Sequence, residues 1–564
     1  MSDLQTPSAV GRWRPSRRRL LQATPVAAAG LALTACRSKP AASGGSAQSN
    51  PARASTTPRR GGTLTIGTNF RLGFDPHVMP TTEVSIEGMF YSTIIRADPK
   101  TNELEPDLAA KWEAPSQTEV VFTLAPSIKW HDKPPANGRA FKVDDIIYSL
   151  QRVQSSDPRF INKSYISGID KMEAVDDHTL KLTLKQPDVT QLSNLSVPPL
   201  KILAPEVVDK AGKFATADTA VGTGAFVLQR SDLDVSSSLT RNPAYFKPDL
   251  PHLDRIEARA FKDYGSEWAA FLAGQIDHRW VPGQDSKQFA DTQKSKYALD
   301  WFPDQGYQIM QAMVQRKPFD DARVSRSLRL ITDHDEWNSF LEEWFGRGRY
   351  SSIFAAATAE AWDLSEDEYR KYLEWKQPKD DAIKEALSLL SAAGYTKDKP
   401  LKFTISGTSA IDYQRAMVQL LQAQFKRNGQ GVIDCDIKLY DTAEWNTVRA
   451  NSTFEYFVAG HNPGGVDPDA YFTSTFKTGG GRNYGKMSDP VLDKMFEQQR
   501  TIFDEKQRKQ AVRDIIIYMI DHCPYGGVDA RYVLNADRLN VRGFPAEGAG
   551  NQFGEHYENV WLQS

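Results

Sequence analysis

Cysteine is scarce in this chain: three stand in 564 residues, at Cys36, Cys435 and Cys523. That excludes a disulfide framework of the kind that staples small secreted domains. Without Cys-x-x-Cys spacing, a cysteine-rich metal site is excluded too. Cys435 and Cys523 are left as either one pair or two small buried side chains. Charge of one sign is also lacking: 69 Lys and Arg face 71 Asp and Glu, a net charge of −2. Surfaces built to hold nucleic acid are usually distinctly basic, so that class is set aside. No apolar run approaches the roughly 20 residues of a membrane-spanning helix. Missing as well are HExxH, GxxxxGK[ST] and GxSxG. Aromatics, by contrast, are plentiful, with 12 Trp, 20 Tyr and 27 Phe. They suit either core packing or stacking walls for a ligand.

At 564 residues the chain is too long for one ordinary domain, and two or three are expected. Residues 12–22 (RWRPSRRRLLQ) are basic, and a short apolar run, Ala27 to Leu33, leads into Leu33-Thr34-Ala35-Cys36. A basic region, a short apolar region and small residues before a cut define a secretory signal. Ser16 to Leu21 (SRRRLL) resembles the twin-arginine export motif. Leu33 to Cys36 resembles a lipobox, which implies that Cys36 is lipidated and becomes the mature N-terminus. The following segment to Arg60, rich in Ser, Ala, Gly and Pro, reads as a flexible tether. The product is then exported and held at a membrane by acyl chains, in the periplasm or at the cell surface.

The body opens with an alternating strand, Gly61-Gly62-Thr63-Leu64-Thr65-Ile66. Val143, Ile146, Ile147 and Leu150 fall on one face of a helix, with Asp144 and Asp145 at its positive end. Val221 to Leu228 (VGTGAFVL) reads as a Gly-rich turn, whose Gly222 and Gly224 are suited to φ > 0, followed by a buried strand. Beyond Ala298 the pattern becomes strand–helix alternation. A helix from Pro378 to Ala393 is stopped by Gly394, a strand runs Leu401 to Ile405, and a second helix runs Gln414 to Asn428. The strand Ile433 to Leu439 follows, and Val512, Ile515, Ile516 and Met519 mark the face of a late helix. His131-Asp132 reads as a turn contact and not as a metal or acid–base pair.

Several stretches share an order with one known family. They are VGTGAF (221–226), RNPAY (241–245), PHLDRI (251–256), LAGQID (272–277), KPFDDARV (317–324) and VDPD (466–469). Together they resemble the peptide/nickel-type extracytoplasmic solute-binding proteins, family 5, the receptors of ABC importers. Ala225-Phe226 departs from the usual Pro-Tyr. The resemblance covers about residues 61 to 545. It implies an α/β, bilobal periplasmic-binding-protein fold (type II, the large peptide-binding-like cluster) with an extra subdomain in the first lobe. The expected division is a signal peptide at 1–35, a tether at 36–60, lobe I at 61–298, lobe II at 299–524 and a return to lobe I at 525–564.

The implied function is capture of an oligopeptide or similar small solute between the lobes and delivery to an ABC permease. No cofactor, metal, nucleic acid or catalysis is expected, and the protein is expected to act as a monomer. In peptide-binding relatives an Asp in the loop before the DPD-like run pairs with the ligand's amino group; here His461 and Asn462 hold about that place. The candidate binding residues are Trp280, His461, Asn462, Asp467, Trp445 and Phe74. Saccharides, opines and metal chelates stay open as ligands beside peptides. A secreted bilobal hydrolase is the alternative from another class, with Asp467 and Asp469 as its carboxylates. A non-transport sensor or adaptor of the same fold is the other. Ser474 to Gly479 holds both an SxxK and a KTG, but they share Lys477 and cannot face each other as a penicillin-recognising hydrolase requires.

Overall fold

A computed structural model describes residues 57–68, 74–78, 86–98, 103–157, 159–160, 162–211, 216–232, 235–281, 286–304, 306–351, 353–461, 465, 467–527, 530–544 and 556–563. The expected export signal, most of the expected tether, Cys36 and Asn462 lie outside these residues. All described residues fall in one compact unit, 49–564.

Two mixed sheets organise it. In the larger, the opening strand Thr63–Thr68 lies between Arg255–Ala260 and His278–Val281, parallel to both. Ser236–Arg241 and Phe226–Asp232 extend one side antiparallel, while Ala530–Arg538 and Tyr297–Pro303 extend the other. The smaller sheet has Leu401–Thr408 parallel to both Ile433–Tyr440 and Tyr456–His461. Tyr307–Ala312 then pairs antiparallel with Tyr456–His461 on one side and with Gly526–Gly527 on the other. A third, four-stranded antiparallel sheet is formed by Ala109–Ser116, Glu119–Leu124, Thr179–Leu184 and Ile169–Asp176. The bilobal α/β fold expected from the sequence is what is found. Among the described residues no helix is long and apolar enough to cross a membrane.

Hydrophobic spacing placed the helices of the smaller sheet well. Asp380–Ala392 buries Ala382, Ala386 and Leu390, and Gly394 takes φ +89° just past its end. Asp412–Asn428 buries Met417, Val418, Leu421 and Phe425. Glu505–His522 buries Val512, Ile515, Ile516 and Met519, each contributing about 1.5–3 kcal/mol of apolar burial. Cys435 and Cys523 are both free and buried; the Cys523 thiol packs 3.5 Å from the Met487 sulfur. Burial pushes both thiols up to about 12.

The GTG turn does not use the φ > 0 expected from its glycines. Gly222 and Gly224 are not among the positive-φ glycines. They are glycines because the Phe90 backbone passes against them: a Cβ on Gly222 would lie 1.8 Å from the Phe90 carbonyl oxygen. His131 fixes the same turn. Its N–H donates to the Gly222 carbonyl at 2.8 Å, the Gly222 N–H donates to its Nδ1 at 3.2 Å, and its Nε2 meets the Gly224 carbonyl at 3.1 Å.

Glu374 shows how charge is handled in the interior. Its carboxylate, 1% exposed, accepts from Arg329 Nη2 at 2.6 Å and lies 3.7 Å from the His334 ring. Burial pushes its pKa up, but Arg329 and His334 outweigh burial and hold it well below the usual 4.5. A depressed carboxylate stabilises the fold above its unfolded value, and that contribution is lost as pH falls toward the folded value. Wild type should therefore lose stability below about pH 4.5, with Glu374 among the causes. Glu374→Gln should be about 3 kcal/mol less stable at pH 7 and show a shallower acid slope. Urea melts at pH 3.5, 5 and 7 check this; parallel curves for the two proteins would refute it.

Candidate functional site

In α/β sheets a ligand is held at the carboxyl ends of parallel strands. Here those ends are Thr408, Tyr440 and His461. Strand register places His461 directly opposite Tyr307, and Gly460 opposite Gln308. Side chains alternate along a strand, so His461 and Tyr307 share one face and Gln308 lies on the other.

On the His461 face the rings form a continuous cluster. Tyr440 stacks on Trp445 at 6.0 Å, and Trp445 meets Phe457 edge-on at 5.5 Å. Phe457, Tyr307 and Tyr484 then surround the imidazole, at 6.1, 5.9 and 5.7 Å. Arg449 lies over both Trp445 and Tyr484, 5.3 and 5.7 Å from their centres. Arg482 is buried nearby and hydrogen-bonds the Tyr165 hydroxyl, bringing a much earlier stretch of chain to the cluster. His461 is 2% exposed, and neither ring nitrogen has a hydrogen-bond partner among the described residues. Burial, with Arg449 and Arg482 close by, holds the imidazole well below 6.5, so it is neutral at pH 7.

On the opposite face, Gln308 is 2% exposed, and neither amide atom has a partner among the described residues. A second aromatic group forms elsewhere: Trp280 stacks on Phe345 at 6.2 Å, and Phe345 meets Tyr413 at 5.2 Å. Arg531 lies over Phe345 and Tyr413, 4.5 and 4.9 Å from their centres. Its Nε also donates to Asp304 Oδ2 at 2.5 Å, and the Asp304 N–H donates to its carbonyl at 3.1 Å. The chain passes between the two sheets after Pro303 and again after Gly527. Asp304 and Arg531 thus tie the two crossings side by side.

The sequence-expected residues separate into groups. His461 and Trp445 belong to one aromatic cluster, joined through Phe457, while Trp280 belongs to the cluster at the crossings. Asp467 caps helix Pro468–Tyr471 through the Asp469 N–H at 2.9 Å. It also accepts a two-pronged bond from Arg508, at 2.6 and 2.8 Å. Phe74 is 3% exposed and packs edge-on against Phe90 at 5.7 Å; its carbonyl accepts from the Tyr91 hydroxyl. Tyr307, Gln308, Tyr484, Arg449 and Arg482 are not among the binding residues expected from the sequence. A signal existed for one: Gln308 and Gln311 are polar residues within an otherwise apolar run, YQIMQAM.

A model of the bacterial extracellular solute-binding proteins, family 5, matches residues 103–483. The chain is 24% identical over 468 residues to the periplasmic oligopeptide-binding protein OppA of Salmonella typhimurium, covering 77% of this chain and 81% of OppA. It is 24% identical to the dipeptide-binding protein DppE of Bacillus subtilis, covering 75% and 78%. Among solved structures it resembles Haemophilus influenzae OppA in complex with the peptide RPPGFSPFR, with a TM-score of 0.77 at 19% identity, over 90% of this chain and 100% of that one. Motif order, two-sheet architecture and these matches agree, and the chain belongs to the family 5 bacterial extracellular solute-binding proteins.

Proposed function

We propose that this chain is the receptor of an ABC importer that captures an oligopeptide or similar small solute and presents it to a membrane permease. Residues 61–298 with 525–564 would form one lobe and 299–524 the other. Lipidated Cys36 would hold the exported protein at the membrane as a monomer on a flexible tether. The observation that carries this reading is His461. It is a buried imidazole whose two nitrogens have no partner among the described residues, at the carboxyl end of a parallel strand and walled by aromatic rings. Leaving a buried polar atom unpartnered costs about 1–3 kcal/mol, and a bound solute would remove that cost. Aromatic walls with a few polar anchors are what small-molecule sites are made of. Trp445 would act within the wall, Trp280 beside the crossings, and Asn462 next to His461.

Transport of this kind needs no bond to be made; it needs a solute that favours the closed arrangement over the open one. Asp304 and Arg531, holding the two crossings together, suit a hinge that bends without parting. The hydrolase alternative finds less support, because Asp467 is held by Arg508 and Asp469 by Gln499, leaving neither placed as a free acid or base. X-ray scattering of the full-length chain with and without a tripeptide and saccharide panel, alongside calorimetry, tests the receptor reading. Binding should reduce the radius of gyration without consuming the solute. An outline indifferent to every solute, together with turnover of one, would overturn it.

A further inference from the structure

The charges around His461 bear on which solutes can lodge there. Two arginines, Arg449 and Arg482, belong to this end of the sheet. The carboxylates of neighbouring segments are engaged elsewhere: Asp304 by Arg531, Asp467 by Arg508, and Asp469 by Gln499 and Arg500. On the strand pair itself, the His461 ring nitrogens and the Gln308 amide are neutral and have no hydrogen-bond partner among the described residues. A neutral imidazole offers one N–H donor and one acceptor. Tyr307, Tyr484 and Phe457 crowd around it, and in a site walled by rings, away from water, charges act on each other more strongly than in solvent.

We propose, resting on the receptor reading above, that the solute presents a carboxylate, and not an ammonium, to the carboxyl end of strand Tyr456–His461. The carboxylate accepts from the His461 N–H, in the field of Arg449 and Arg482. A hydroxyl or amide of the same solute donates to the other ring nitrogen. A free α-ammonium brings three donors to a place whose one offered acceptor is a ring nitrogen, and it faces two guanidinium groups. The ligand class is therefore an acidic solute, such as a peptide or sugar derivative that carries an acid where an ordinary peptide carries its amine.

Two probes that differ in charge at one end read this preference: trialanine and N-succinyl-trialanine, titrated calorimetrically into the full-length chain. The succinylated probe is expected to bind at least about 10-fold more tightly. Equal affinity, or preference for trialanine, overturns the carboxylate assignment and leaves the receptor reading standing. His461→Asp should weaken the succinylated probe at least about 10-fold, and more than His461→Asn does, because Asn keeps an N–H donor and adds no negative charge. An Asp variant that melts normally and binds as well as wild type also overturns the assignment. Should neither probe bind, mass spectrometry with amine labelling is applied to the solute released from protein purified from its own host. An acid lacking an α-amine supports the proposal, and an amine-labelled peptide overturns it. No released solute and no binding of either probe also overturns the assignment, and the receptor reading is then decided by the scattering and calorimetry described above.

Discussion

A Gly222→Ala protein is expected not to accumulate in folded, soluble form. The added Cβ would lie 1.8 Å from the Phe90 carbonyl oxygen and 2.8 Å from both the Phe90 carbonyl carbon and Tyr91 Cδ1. Relief would need the backbones to part by more than an ångström, and neither can. Phe90 and Tyr91 are 0% and 2% exposed. The turn is held by three hydrogen bonds to His131 and one from the Gly224 N–H to the Phe90 carbonyl at 3.0 Å. Ordinary overpacking costs about 1–3 kcal/mol because side chains yield. Backbone against backbone should exceed about 4 kcal/mol, a large part of the 5–15 kcal/mol that holds a typical domain. Gly394→Ala is the control, since its Cβ meets nothing within 4 Å and only its φ of +89° opposes the change. It should cost about 1–2 kcal/mol. Soluble yield and thermal melting of the two variants check the contrast. A Gly222→Ala protein melting near wild type would refute the close-approach account.

That turn also shows what a sequence can and cannot disclose. VGTG located a tight passage, but nothing in it says that Phe90, 132 residues earlier, is what comes close. Helices were legible because their signal is local: Ala386 and Leu390 repeat at the helical period, and Gly394 stops the run. Asp145 was half legible. It sits in the first turn of helix Val143–Gln154 as expected of an acid, but it is buried and accepts from Trp130 Nε1 at 3.1 Å and from Arg139. Of the cluster around His461, the sequence pointed to His461 and Trp445 only. Its other walls follow from register, which sets Tyr307 opposite His461, and from the way Tyr484, Arg449 and Arg482 return to the same strand end. Asp467 was a candidate because it lies in the loop leaving a strand's carboxyl end, within a DPD-like run. Its guanidinium partner lies 41 residues further on and carries no local mark.

Removing Arg500 should destabilise the protein by about 3–5 kcal/mol at pH 8, and by less at pH 5. The Arg500 guanidinium, 5% exposed, pairs with Asp188 through Nη2 and lies 3.8 Å from Asp469 through Nε. Its carbonyl accepts from the Val189 N–H at 2.8 Å. Asp188 precedes helix Gln191–Leu195, whereas Asp469 and Arg500 belong to a stretch far later in sequence, so this one side chain holds two distant segments together. Arg500→Met keeps the length and removes the charge, leaving two buried carboxylates without it. Burial, with Asp467 and Asp188 nearby, already raises Asp469 to about 6, against the pull of Arg500. A carboxylate raised in the folded state favours folding below its unfolded value, and that advantage is lost as pH climbs through the folded one. Without Arg500 the folded value moves higher still, so the loss continues above pH 6 and the deficit grows toward pH 8. Urea melts at pH 5 and pH 8 measure it, and an equal deficit at both would show that Asp469 is not the cause. Adding Asp469→Asn separates the contributions. If the ionised carboxylate is what costs stability, the double variant should recover part of the loss at pH 8 and little at pH 5, because at pH 5 that carboxyl is already protonated.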